Sequence, residues 1–289
     1  MKFYRVPELA KKYVEYDMIK AHTELPNFPD PRVRLLYTFL KVQKPEDERA
    51  LETSALATFL VQLAMDTHDL IDPEPERKEE KQMRSRQMKV LAGDYFSGTF
   101  YELLAKAGQV DMIALLASAV CEVNRLKAGF YSRMKRMLLS RDEYLKESSQ
   151  VKMGLFHFFT PMLDKAVQNL WRYLLSEISR CEVLAEEIRK SGGIPEEYRG
   201  YAYLSIMETG TAEDKQLLAK SRVSEREWSA LLVKYNVKEQ LASKLHHSVA
   251  RVQELLQEGA GEWMQRELSG ILEPFSALLG KSRSALNEG

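Results

Sequence analysis

Helical spacing runs through almost the whole chain, and this limits the fold more than any other feature. Apolar residues recur at three- and four-residue steps, while period-two alternation is rare. Glycine and proline fall mainly between the periodic runs, where they act as stops. The pattern predicts helices at roughly 6–22, 31–42, 46–72, 80–107, 110–139, 142–190, 195–208, 211–220, 224–235 and 238–280. Pro161 lies inside the longest of these and should kink or split it, because proline removes a backbone donor and clashes with the preceding turn. Ser191-Gly192-Gly193-Ile194-Pro195 reads as a stop and restart. The expectation is an all-α bundle in a single helical domain over residues 1–289, with a divergent C-terminal part from about 195.

Charge and cysteine content exclude several classes of function. Lys+Arg and Asp+Glu balance at 42 each, so no overall field draws the chain to nucleic acid or anionic lipid, and any such contact would have to be a local patch. The stretch from Glu74 to Arg86 is the densest charge run and reads as a solvated loop and helix start. Cys121 and Cys181 stand alone in helical patterns and suit buried thiols of a reducing cytosol. No Cys or His spacing suits a zinc site, and the adjacent His246 and His247 would point apart on a helix. The charged start lacks the apolar core of a signal peptide, and no run is long enough to span a bilayer, so the expected location is cytoplasmic.

Two segments carry candidate chemistry. Thr58 to Leu70 reads as an amphipathic helix with Phe59, Leu60, Leu63, Ala64 and Leu70 on its apolar face. Asp66, Asp69 and Asp72 follow at i, i+3 and i+6, and Pro73 ends the run. Oxygen ligands at that spacing suit Mg²⁺ bridged to phosphate, shared among Asp66, Asp69 and Asp72; spacing alone more often means ordinary exposed acids. His68 sits among them as a ligand, a hydrogen-bonding group or a surface residue.

The second segment places Ala92, Gly93, Ser97 and Gly98 in an otherwise bulky helix. Glycine inside a helix costs roughly 1 kcal/mol relative to alanine, so a close approach of another helix is expected. Gly93, Tyr95, Ser97, Phe100 and Tyr101 are the candidate partner interface; the alternative is a core helix packed within its own domain. Asp94 reads as structural and, if buried, needs a partner such as Arg125 or Lys127. Glu122, Asn124 and Lys127 form a further structural polar cluster. Met137-Leu138-Leu139 and Leu155-Phe156-His157-Phe158-Phe159 read as core, or as the wall of an apolar tunnel.

Taken together, Thr67-His68-Asp69-Leu70-Ile71-Asp72 and Val90-Leu91-Ala92-Gly93-Asp94-Tyr95-Phe96 resemble the trans-polyprenyl diphosphate synthases over residues 55–105. That family carries a helix ending in HDDxxD and then a helix opening with a V/I-L-A-G-D run. The resemblance implies an isoprenoid-synthase-like helical bundle. It aligns Asp69 and Asp72 with the second and last acids of the motif and puts His68 in place of the first. A second DDxxD is absent from Tyr198 to Gly289, and the family's paired arginines have only Arg77-Lys78 or Arg84 and Arg86 as loose substitutes. His68, Asp69, Asp72 and Lys152, which echoes a family lysine, are the substrate-binding candidates by this resemblance.

A depleted pattern of this kind is similar to the small subunit, component 1, of heterodimeric heptaprenyl diphosphate synthases. The resemblance implies no catalytic residue in this chain and inactivity alone. It also implies Mg²⁺ held mainly by a catalytic partner subunit. The complex would elongate an allylic diphosphate with isopentenyl diphosphate for the menaquinone side chain, with membrane contact through its product. The competing readings are a helical adaptor without isoprenoid function and a self-sufficient Mg²⁺-dependent enzyme.

Overall fold

The computed structural model describes residues 4–44, 46–71, 80–193, 199–219 and 223–287. Fourteen α-helices are found among them: α1 Val6–Val14, α2 Asp17–His22, α3 Asp30–Gln43, α4 Glu48–Asp69, α5 Glu80–Lys106, α6 Val110–Lys135, α7 Arg141–His157, α8 Lys165–Lys190, α9 Tyr201–Thr209, α10 Ala212–Leu218, α11 Glu225–Lys234, α12 Val237–Gly259, α13 Glu262–Leu268 and α14 Glu273–Asn287. Short 3-10 turns cover Thr160–Met162 and Ser269–Leu272, and no strand occurs among the described residues. The chain divides into two compact units. One runs to Glu122 and includes Leu155–Gln168; the other takes Val123–Gly154 and the chain from Asn169 on.

In the first unit α4 is the central element. α5 lies along it, α3 and α1 pack against it, and α2 packs on α5. The helix starts where the Asp47 side chain accepts the Ala50 N–H at 3.3 Å. The amphipathic reading of this stretch is corrected: α4 is buried nearly all round, while Leu70 at its end is exposed. Its buried polar residues are bonded as a low-dielectric interior requires. Thr58 donates to the Ser54 carbonyl at 2.8 Å and Thr67 to the Leu63 carbonyl at 2.6 Å. The buried Glu52 carboxylate takes Arg5 Nε at 2.9 Å and Nη2 at 2.8 Å, a two-pronged pair that fastens the start of α1.

The second unit is built on α8 and α12. Trp171, Leu174, Leu175, Ile178, Cys181 and Leu184 are buried on α8, as are Leu241, Leu245 and Val252 on α12. Trp228 of α11 is fully buried and spends its indole N–H on the Ser191 carbonyl at 3.0 Å. Glu187 is buried on α8 and holds three helices. It accepts the Tyr144 hydroxyl of α7 at 2.6 Å and the backbone N–H of Tyr201, which opens α9, at 2.8 Å. A carboxylate at a helix N-terminus satisfies an orphan donor and complements the macrodipole.

Several sequence expectations change here. The long 142–190 segment splits as Pro161 predicts, with the proline inside the 3-10 turn and Leu163 extended. The 238–280 segment breaks at Ala260-Gly261, where both residues are extended, and again at Ser269–Leu272. Cys121 is exposed; only Cys181 is buried, and burial pushes its thiol well up from the ordinary range. Met137 and Leu138 are exposed and not core, whereas Leu139, Leu155, Phe156 and Phe159 are buried.

Tyr144→Phe would remove the hydroxyl that satisfies a buried carboxylate. It is expected to destabilise the protein by about 1.5–3 kcal/mol, read from the urea midpoint at unchanged m-value.

Candidate functional site

The acidic end of α4 and the first half of α5 form the candidate site. Asp66 is half-buried and accepts Gln62 Nε2 at 2.8 Å. Gln62 Oε1 in turn accepts Arg32 Nη1 at 3.1 Å. Arg32 is 1% exposed, and its guanidinium lies 4.9 Å from the centre of the Phe156 ring. Asp66 is therefore the outer end of a relay leading to a buried cation. Asp69 is the last residue of α4 and is exposed. Asp72 lies outside the described residues. Lys89 Nζ donates to the Leu70 carbonyl at 3.0 Å, placing a cation on the negative end of the α4 dipole.

His68 turns from the acids toward α5. Its Nε2 lies 3.5 Å from Asp94 Oδ1. The ring also rests against Gly93: a Cβ added there would lie 2.6 Å from His68 Cε1. The glycine is needed because a neighbouring helix comes close, and that helix is α4 of the same chain. Two expectations are corrected by this. Gly93 is buried within its own unit and is no part of an outward interface, and neither is Phe100. Asp94 is exposed and paired with His68, not buried.

The other interface candidates face outward. Tyr95 stacks on Tyr16 with ring centres 5.9 Å apart and planes at 24°, and Tyr101 is exposed beside Phe100. Ser97 is half-buried. Leu91 is 60% exposed and Gly98 has open space above it. Leu91, Tyr95, Gly98 and Tyr101 fall within an arc of about 120° on the outer face of α5.

In the second unit Lys152 is bound to Glu186 of α8 at 3.2 Å, not extended as a substrate cation. Burial would raise the Glu186 carboxyl, but Lys152 and Lys190 outweigh it and hold it at about 2, against an ordinary 4.5. Glu122 and Lys127 are half-buried, and Asn124 is exposed to solvent.

Among the described residues no three His, Cys, Asp or Glu side chains gather to hold a metal ion. Asp66 is committed to Gln62 and His68 to Asp94, so the described donors do not fit a resident Mg²⁺, which needs several oxygens in near-octahedral array. Sequence reasoning missed Gln62, Arg32 and Lys89. Gln62 stands one turn before Asp66, a signal visible in the sequence, whereas Arg32, in Asp30-Pro31-Arg32-Val33-Arg34, looks like an ordinary charge at a helix start.

The helical arrangement is that of the polyprenyl diphosphate synthases. Geranylgeranyl pyrophosphate synthetase from Pyrococcus horikoshii superposes with a TM-score of 0.68 at 15% identity, covering 93% of this chain and 94% of that one. Decaprenyl diphosphate synthase from Rhodobacter capsulatus gives 0.67 at 10% identity, covering 96% and 98%. Heptaprenyl diphosphate synthase from Staphylococcus aureus gives 0.64 at 13% identity, covering 95% and 98%. These likenesses define the fold, and they extend through the C-terminal helices.

Within that class, the family described as heptaprenyl diphosphate synthase (HEPPP synthase) subunit 1 matches residues 16–192. The chain belongs to this family. Heptaprenyl diphosphate synthase component 1 of Geobacillus stearothermophilus is 39% identical over 82 residues, 28% of this chain. The match spans 35% of that relative's length.

Two measurements check this geometry. Gly93→Ala should gain about 1 kcal/mol of helix propensity when His68→Ala has cleared the space, and lose that gain when His68 is present. Additive melting shifts would contradict the contact. Lys152→Met should lower stability by less than about 1 kcal/mol at neutral pH, since the pair is partly exposed. A depressed carboxylate stabilises the fold above its unfolded value. The gap between parent and variant should therefore be full above 4.5 and close as pH falls toward about 2. Melting curves at stepped pH read it.

Proposed function

We propose that this chain is the small accessory subunit of a heterodimeric polyprenyl diphosphate synthase of the heptaprenyl type. The complex adds isopentenyl diphosphate repeatedly to an allylic diphosphate, for the menaquinone side chain, in the cytoplasm. The partner subunit carries the metal-binding carboxylates and Mg²⁺, and this chain alone is inactive. Its role is to complete the helical assembly around the growing product.

One observation carries this reading. In a chain of this family and fold, two groups near the end of α4 are held by protein partners: Asp66 accepts from Gln62, whose own oxygen accepts from Arg32, and His68 faces Asp94. Ionising an allylic diphosphate needs dense positive charge on the leaving group, which bound metal ions supply. The engagement of Asp66 and His68 with protein groups supports placing that chemistry on the partner subunit. The outer arc of α5 is the proposed contact. Gly98 lets a second backbone approach, with Leu91, Tyr95 and Tyr101 as anchors around it.

The test is reconstitution with the cognate catalytic subunit, farnesyl diphosphate, isopentenyl diphosphate and Mg²⁺, with each protein alone as control. Long-chain product is expected from the mixture only. Product from this chain alone, abolished by Asp69→Ala, would make it a self-sufficient enzyme. Unchanged partner activity on adding this chain would leave only a shared fold. Leu91→Glu should abolish co-elution with the partner and leave the melting temperature of the free chain nearly unchanged, because Leu91 is already in water.

A further inference from the structure

The corner that follows α6 differs in chemistry from the rest of the chain. Every charged residue from Arg125 to Arg141 is basic, whereas charge balances over the whole sequence. Arg133 is bound to Glu143 and Glu147, and Arg141 to Glu208. Lys135 and Arg136 are exposed, and their side chains make no hydrogen bond or ion pair among the described residues. Beside them Met137 is 39% and Leu138 58% exposed, and Tyr131, one turn before Lys135, is 67% exposed.

The backbone adds a second observation. Met137 has φ 53°, the left-handed position that ends the helix. Its N–H bonds the Met134 carbonyl at 3.0 Å, and the Leu138 N–H bonds the Arg133 carbonyl at 3.0 Å. Glycine takes this position without strain, whereas a Cβ meets the following carbonyl oxygen. A strained methionine followed by an exposed leucine keeps an apolar pair in solvent, between two uncommitted cations and the buried Leu139.

We propose that this corner docks on an anionic lipid surface. Met137 and Leu138 enter the boundary between headgroups and acyl chains, while Lys135 and Arg136 lie among the headgroups. The attraction of cations to an anionic leaflet fades within a Debye length, about 10 Å, so adjacent apolar side chains are what hold the contact at close range. With no acidic residue between Arg125 and Arg141, the corner complements an anionic surface by charge, and Met137 and Leu138 supply the apolar part of the contact. The inference rests on the corner itself and not on the proposed reaction. It concerns the surface of this chain, since no helix among the described residues is long and apolar enough to cross a membrane.

The test is flotation of the full chain with vesicles of equal parts phosphatidylcholine and phosphatidylglycerol, against phosphatidylcholine alone. Binding to the mixed vesicles is expected, weakened roughly tenfold or more by Lys135→Glu with Arg136→Glu. Met137→Gly should also weaken it several-fold while relaxing the backbone, so this variant stays folded; its circular dichroism melt confirms that. Equal flotation of parent and variants overturns the proposal, as does no flotation with mixed vesicles. Loss of co-elution with the catalytic partner in variants that still float like the parent would assign the corner to a protein interface and overturn it too.

Discussion

α4 is enclosed on almost every side, and each polar group it buries has to be satisfied inside its own unit. Along the helix this is met by hydroxyls bonded back to carbonyls one turn earlier and by the Arg5–Glu52 pair. Near the end it is met by Gln62, which links Asp66 to the fully buried Arg32. Removing Asp66 or Arg32 would strand the other members of the relay in a medium where unpaired polar groups are costly. The same bonds that stabilise the helix therefore take a carboxylate out of any role in gathering cations. The proposal that a partner holds the metal draws its support from this constraint.

The register between α4 and α5 works in the same direction. Gly93 exists to let the His68 ring in, and His68 then reaches Asp94 across the seam. Lys89 closes the end of α4 from the same helix. An end built in this way is a structural joint, with cation and acid balanced locally. What remains exposed on α5 is an arc of Leu91, Tyr95, Gly98 and Tyr101, suited to contact another surface.

Much of the fold was legible because helical period and punctuation survive in the sequence. Pro161 announced the break between α7 and α8, and the Ser191-Gly192-Gly193 run the end of α8. The break at Ala260-Gly261 was marked by Gly259 and Gly261 but lay inside an otherwise continuous helical pattern. Periodicity cannot distinguish a half-buried helix from an enclosed one when small and hydroxyl residues carry the second face, and so α4 was read as amphipathic. At the site, sequence marked Gly93 as a close approach but could not tell an outside helix from α4. It placed Lys152 as a substrate cation because Glu186, thirty-four residues on, becomes its neighbour only in the folded chain. The likeness in structure also reaches the C-terminal helices, where the sequence resemblance had faded.

The central claim is that this chain keeps the synthase scaffold without the metal–diphosphate chemistry. Isothermal titration of the purified chain with farnesyl diphosphate, with and without Mg²⁺, tests it most directly. The account predicts no Mg²⁺-dependent binding heat. Saturable one-to-one binding that requires Mg²⁺ and disappears in Asp69→Ala would contradict it.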